Sequence, residues 1–169
     1  MRTSLLLPLA LFCAPLLAAD LQVSVEIPRL QVAEYHRPYV AIWLEHPDQS
    51  HAADLAVWYD VKMKDQEGEK WLKDLRQWWR RSGRSLQLPV DGVSAATRAV
   101  GSHTLTVDDS QAPLKDLPPG DYRLVVEAAR EVGGRELLRV PFSWPATEQQ
   151  THQAQGESEL GSISVTVNP

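Results

Sequence analysis

Residues 39–45 read YVAIWLE, and their reading decides the fold. A half-buried strand alternates apolar and polar side chains, whereas this run is apolar on both parities, so it reads as a central strand. The segments around it do alternate. In LQVSVEI (21–27), Leu21, Val23, Val25 and Ile27 share one face, and Gln22, Ser24 and Glu26 the other. LAVWYDVKM (55–63) keeps Val57, Tyr59, Val61 and Met63 in one register. Downstream, HTLTVD (103–108), DYRLVVEA (121–128), LLRVPFSWP (137–145) and GSISVTV (161–167) repeat the two-residue period. Tyr122, Leu124, Val126 and Ala128 point one way, as do Leu138, Val140, Phe142 and Trp144, and then Ile163, Val165 and Val167. Pro141 cannot donate to a ladder, which predicts an edge strand for its segment.

The punctuation between these segments is turn chemistry. Pro118, Pro119 and Gly120 set a bend, and REVGGRE (130–136) predicts a hairpin built on Gly133 and Gly134. ATEQQTHQAQGESE (146–159) reads as a polar, mobile loop. The period changes once. EKWLKDLRQWWRR (69–81) carries apolar residues at 71, 72, 75, 78 and 79, the stripe of an amphipathic helix. Glu69 at its start and Arg80 and Arg81 at its end suit the helix dipole, and Gly83 supplies a stop. Seven or so short strands with turns between them predict a mainly β protein. The expected fold is an immunoglobulin-like antiparallel β-sandwich with one inserted helix at about residues 69–81. Trp43, Trp58 and Trp144 are expected in the sandwich core. Trp71, Trp78 and Trp79 share the helical stripe and read as core rather than as a sugar-binding platform.

The first nineteen residues stand apart. MRTSLLLPLALFCAPLLAA has a basic start at Arg2, an apolar run from Leu5 to Leu17, and small residues before Asp20. That is the layout of a secretory signal peptide, cleaved after Ala18 or Ala19, and the run is short for a membrane anchor. A periplasmic location follows, with the chain not membrane-embedded. Residues 20–169 are about 150 residues, the length of a single domain. Cys13 is the only cysteine, so the exported part has none. Disulfides, thiolate-held iron–sulfur clusters and c-type haem are thereby excluded. Without Arg2 the chain has 16 basic against 22 acidic residues. A surface of that balance without a basic stripe does not suit nucleic acid.

DGVSAATR (91–98) is too small and too polar for a core strand. The run resembles the motif Asp-x-x-Ser/Thr-Gly-Ala-Thr/Ser, at which a bacterial flavin transferase attaches FMN to exported redox proteins. The resemblance places Asp91 at the acid, Ser94 at the first hydroxyl, Ala96 at the alanine and Thr97 at the acceptor, which takes the riboflavin phosphate as a phosphoester. Ala95 stands where the motif has glycine; if that position needs positive φ, alanine opposes it by roughly 1 kcal/mol or more. On this resemblance Asp91 would position a metal or the hydroxyl, and Arg98 would pair with the phosphodiester. Trp78 and Trp79 would cover the flavin ring, and His103 would contact it. The plainer alternative is a turn in which Asp91 bonds backbone amides.

A wider resemblance runs through YVAIWLEHPD, KWLKDLRQWWR, DGVSAATRAVGSHTLTVD and LPPGDYRLVVEAAREVGGRELLRVPF. These segments are similar to the bacterial periplasmic family called domain of unknown function 2271, with members encoded beside flavin transferases and PepSY membrane reductases. The family implies those two partners and no assigned activity. The leading expectation is thus a periplasmic electron-transfer component carrying covalent FMN on Thr97, a redox carrier or accessory protein more than a stand-alone enzyme. The alternative is a non-catalytic periplasmic binding or accessory module without a cofactor. Other constellations read as ordinary surface. Glu45, His46, Asp48 and His51 form a polar hairpin loop, and Arg80, Arg81 and Arg84 a solvated helix end. Asp91, Ser94 and His103 lack the nucleophile elbow and oxyanion donors a hydrolytic triad needs.

Overall fold

Alternating segments pair where their apolar faces can be buried together. The computed structural model describes residues 19–169, so the expected signal peptide falls outside the described residues apart from Ala19. Nine strands pair among the described residues. They are β1 (Asp20–Ile27), β2 (Tyr39–Glu45), β3 (His51–Tyr59), β4 (Ser94–Ala96), β5 (Gly101–Asp108), β6 (Gly120–Ala129), β7 (Arg135–Trp144), β8 (Gln150–Gln155) and β9 (Ser162–Asn168). One sheet has the order β5-β1-β9-β8 and the other β4-β3-β2-β6-β7. Every pairing is antiparallel except β3 with β4.

The result is a mainly β, two-sheet, open sandwich. In the immunoglobulin arrangement the first two strands lie side by side in one sheet. Here β1 and β2 belong to opposite sheets, so the pairings show a sandwich without that strand order. β2 is central, between β3 and β6, and β7 is an edge, with Pro141 opposite Arg123. The alternating faces meet as expected. Leu21, Val23, Val25 and Ile27 pack with Val40, Ile42, Leu44, Leu124, Val126, Ile163, Val165 and Val167 between the sheets. Trp58 and Trp144 join that core.

The second apolar parity of β2 has a different destination. Ala41 and Trp43, with Val57 and Tyr59 of β3 and Val125 and Ala129 of β6, face away from the other sheet. The excursion between β3 and β4 lies on them, burying Leu72, Leu75 and Trp78. Trp43 therefore packs in this outer cluster and not in the sandwich core. A strand covered on both faces loses its polar parity, which is why YVAIWLE does not alternate.

The excursion is not the single helix expected over 69–81. It forms α1 (Glu67–Lys70), a 3-10 turn over Leu72–Asp74 and α2 (Arg76–Arg81). The break is at Leu75, with φ −75° and ψ 70°. Its physical cause is a cap from the sheet. The wholly buried Glu127 carboxylate of β6 accepts the backbone N–H of Gln77 at 3.0 Å and of Trp78 at 2.8 Å. These are two of the N–H groups a helix start leaves open. Gly83 allows close packing: a Cβ there would lie 2.5 Å from the Trp78 ring. Trp71 escapes the stripe and is 49% exposed.

Two further expectations change. Val61 and Met63 lie beyond the end of β3 and are exposed, so the alternation of LAVWYDVKM outlasts its strand. The polar run read as a mobile loop contains β8, an edge strand paired to β9. Its side chains QTHQAQ carry no apolar face, but Thr151 Oγ1 meets Thr166 Oγ1 at 2.9 Å, and exposed polar residues suit a sheet edge.

Candidate functional site

DGVSAATR opens with a turn and runs into a three-residue strand that ends before Thr97. Asp91 Oδ1 accepts the Gly92 N–H at 3.1 Å, Gly92 takes φ +72°, and Ser94 Oγ accepts the Val90 N–H at 2.9 Å. Residues 94–96 then form β4, parallel to β3, with Ala95 opposite Trp58. Ala95 is extended, not left-handed, and packs against the sandwich core, so alanine carries no φ penalty here. The ladder ends where the Thr97 N–H donates to the Tyr59 carbonyl at 3.2 Å.

Beyond the strand the chain then separates the expected site residues. Thr97 turns to a cavity of about 450 Å³, while Arg98 turns to another of about 490 Å³ in the open side of the sandwich, between β4 and β5. Arg98 lies over the Trp58 ring, 5.3 Å from its centroid. His103 also stands there, edge-on to Trp58 at 5.9 Å, with Nε2 2.7 Å from the Ala99 carbonyl oxygen. Asp91 lines neither cavity. Trp78 is wholly buried and donates Nε1–H to Asp54 Oδ1 at 2.8 Å, and Trp79 packs against the outer cluster. Of the seven expected site residues, the 450 Å³ cavity takes in only Thr97, while Ser94, Arg98 and His103 line the 490 Å³ one.

Apart from Trp71, which was read as core of the helical stripe, what surrounds Thr97 was not singled out in the sequence. Tyr39 begins β2, Asp60 follows β3, and Ala129 ends β6, so three neighbouring strands of one sheet end at the same rim. Met63, Trp71 and Asp74 come from the excursion and form the opposite wall. Lys73 Nζ sits 5.9 Å from the centre of the Trp71 ring. His36 and Arg37, from the segment before β2, and the β6–β7 turn complete the lining. Burial, followed by the backbone bond to Asp60 and the charges of Asp60 and Glu131, acts on the Tyr39 phenol; the net push is upward, so it stays protonated.

The β6–β7 turn holds the most constrained group. Arg130 Nε and Nη2 donate to Glu159 at 2.9 and 3.2 Å, and both side chains are only 5% exposed. Glu159 also accepts the Gly134 N–H at 2.8 Å. Added Cβ atoms would lie 2.5 Å from Arg130 Cζ at Gly133 and 2.8 Å from Glu159 Oε1 at Gly134, so both glycines make room for the pair. The left-handed residue of this turn is instead Val132, at φ +51° and 78% exposed at the cavity mouth. A β-branched residue in that region carries backbone strain. Glu159 is held in turn by Glu136, whose carboxylate accepts the N–H groups of Glu157, Ser158 and Leu160 at 2.7, 3.0 and 2.8 Å. Burial raises the Glu136 carboxyl, but those three bonds outweigh it and hold it below its ordinary value.

The histidine-bearing hairpin disperses its side chains. Glu45 accepts from Arg139 and Trp43, Asp48 from Ser50, and His51 stands 3.1 Å from Asp54 without hydrogen-bond alignment. No helix among the described residues is long and apolar enough to cross a membrane. Residues 20–162 match the family model described as "Predicted periplasmic protein (DUF2271)". No curated protein and no solved structure matches the chain.

Proposed function

The chain belongs to the DUF2271 family of predicted periplasmic proteins, and on that premise we propose that it is an extracytoplasmic electron-transfer component carrying FMN as a phosphoester of Thr97. The observation that carries the reading is the position of Thr97: half-buried, at the end of a ladder, and lining a cavity that also holds an exposed tryptophan. The cavity's 450 Å³ lies within the usual range for small-molecule sites. Tyr39 and Trp71 offer aromatic contact to a planar ring, replacing the Trp78 and Trp79 of the sequence reading. Asp60, Asp74 and Glu131 are the carboxylates that share the cavity with the hydroxyl, in the part expected of Asp91. Arg37, exposed and at the same rim, is the cation available to a phosphodiester, in the part expected of Arg98.

Esterification needs an activated donor, since joining a phosphate and an alcohol directly would have to expel water. With a flavin phosphoanhydride as donor, the Thr97 Oγ1–P bond forms as the anhydride P–O bond breaks, the second phosphate leaves with the bonding electrons as a phosphate monoester, and the hydroxyl proton passes to a base. A flavin transferase would catalyse that step, and a PepSY-type membrane reductase would exchange electrons with the product. Bound FMN supplies redox chemistry that a chain without thiols in its exported part cannot supply itself. The chain's own residues bind and orient the ring and limit its contact with water.

The test is intact mass after co-expression with a flavin transferase. The expected result is one FMN added per chain, fluorescent in a denaturing gel and absent from Thr97→Val. An unmodified chain would refute the proposal and leave a cofactor-free binding module. An adduct that persists in Thr97→Val would refute the assigned residue.

A further inference from the structure

The sandwich is open along one flank. At the far flank β7 and β8 are in contact, whereas β4 and β5 line the cavity of about 490 Å³ from its two sides. β4 pairs only with Val57, Trp58 and Tyr59, so the earlier part of β3 has no ladder partner on that side among the described residues. Leu55 and Ala56 of that uncovered part line the cavity beside Trp58.

The other wall is an unprotected sheet edge. β5 pairs with β1 in unbroken register from Gly101 to Asp108, and no strand among the described residues pairs with its other side. Sheet edges are blunted by proline, lysine or a bulge, and β5 has none of these. The edge strand β7 of the second sheet, by contrast, carries Pro141. Six consecutive residues of β5, from Ser102 to Val107, line the cavity. Both parities are among them, so the cavity runs along the backbone and not only along the inward side chains. An antiparallel edge strand turns half of its N–H and C=O groups away from its partner, and here they face this space.

Side chains and charge define what fits. His103, Leu105 and Val107 lie opposite Val25, Val23 and Leu21 on the inward face, yet they are only half-buried. Ser102, Thr104 and Thr106 are exposed on the outward face. Arg98 and His103 line the cavity and no carboxylate does, in a chain with 22 acidic against 17 basic residues. Arg98 is exposed and makes no salt bridge among the described residues. Arg98 and His103 meet at the Trp58 ring, so the positive end of the cavity is the start of β5.

We propose that this flank docks an extended acidic peptide of another protein, which adds a strand antiparallel to β5 and closes the sandwich. Backbone bonds to the edge give affinity, and alternate side chains give specificity. Apolar residues fall opposite Leu105 and Val107, small polar ones opposite Ser102, Thr104 and Thr106, and a carboxylate opposite His103 beside Arg98. The site is separate from the Thr97 cavity, and the proposal does not rest on the flavin reading.

The test is calorimetric titration of the purified protein with the peptide acetyl-Thr-Val-Thr-Val-Thr-Glu-Thr-amide, in which glutamate falls opposite His103. Saturable one-to-one binding is expected, with or without FMN on Thr97. Glutamine in place of the peptide glutamate, or Arg98→Gln at its exposed position, is each expected to weaken binding about threefold, and the two together no further. A peptide of the same composition without alternation is expected not to bind. Methylation of alternate peptide amides in two complementary sets is expected to abolish binding for one set only, because a ladder uses one set of N–H groups. No binding, equal binding of the unalternated peptide, an unchanged affinity in Arg98→Gln, or any other pattern from the methylated sets would overturn the proposal. So would displacement of the peptide by dodecanoate at lower concentration, which assigns the cavity to an apolar acid. A dimer in sedimentation velocity that the peptide dissociates would overturn it in favour of a second copy of this chain.

Discussion

Glu127→Gln tests whether the helical layer is held to the sheet by one buried carboxylate. Glu127 is 0% exposed and accepts from Gln77 N–H, Trp78 N–H and Arg135 Nη1, the last at 2.8 Å. Glutamine keeps the volume and removes the charge. A hydrogen bond to a charged group contributes about 1.5–3 kcal/mol against about 1 for a neutral one. The two backbone bonds thus lose about 1 kcal/mol each. The Arg135 bond loses less, because that side chain is 40% exposed and screened by solvent. The amide also presents an N–H₂ where only acceptors are wanted. The expected total is about 2–3 kcal/mol, or a fall in Tm of about 5–10 °C for a chain of this size. Urea unfolding followed by tryptophan emission measures it, since Trp78 is among the buried tryptophans that unfolding exposes. Arg135→Gln leaves the cap in place and is expected to cost under about 1 kcal/mol. A loss below about 0.5 kcal/mol for Glu127→Gln, with emission unchanged, would refute the idea that this cap breaks the helix at Leu75 and seats α2.

Acid should loosen the same layer from another side. Burial raises the Asp54 carboxyl, but His51, Ser82 and Trp78, bonding or close to it, outweigh burial and hold it below its ordinary value. A depressed folded pKa gives stability that is present above the unfolded value near 3.9 and is lost as pH falls through the folded one. Asp54→Asn should therefore flatten the fall in stability below about pH 4, as read by urea midpoints against pH; an unchanged slope would exclude this group as a source. Gly83→Ala places a Cβ 2.5 Å from a rigid, fully buried indole and should cost about 1–3 kcal/mol in the same unfolding assay.

The strand segments were legible because burial of one face imposes a two-residue period that survives in the order of residues, as in LQVSVEI and GSISVTV. YVAIWLE also announced its central place, but not that its second face would meet a helical layer in place of another sheet. β8 was hidden because an exposed edge strand needs no apolar face, so QTHQAQ leaves no pattern to read. The continuous helix over 69–81 was a sound inference from spacing. It failed because a carboxylate about fifty residues downstream caps the chain in the middle of the stripe, and no local pattern records a distant cap.

The site divides in the same way. The sequence by itself determined that residues 20–169 carry no cysteine, that their segments alternate as strands, and that Thr97 stands in a run of small, polar residues. The tertiary structure alone decided which groups share space with that hydroxyl. Residues 97 and 98 turn to opposite sides of the chain, which sends Arg98 to Trp58 and leaves Thr97 facing Tyr39, Trp71 and Arg130. Those three come from a strand start, a helical excursion and a hairpin turn. They meet because sheet pairing brings strand ends together that are far apart along the chain, and distance along the chain carries no information about that.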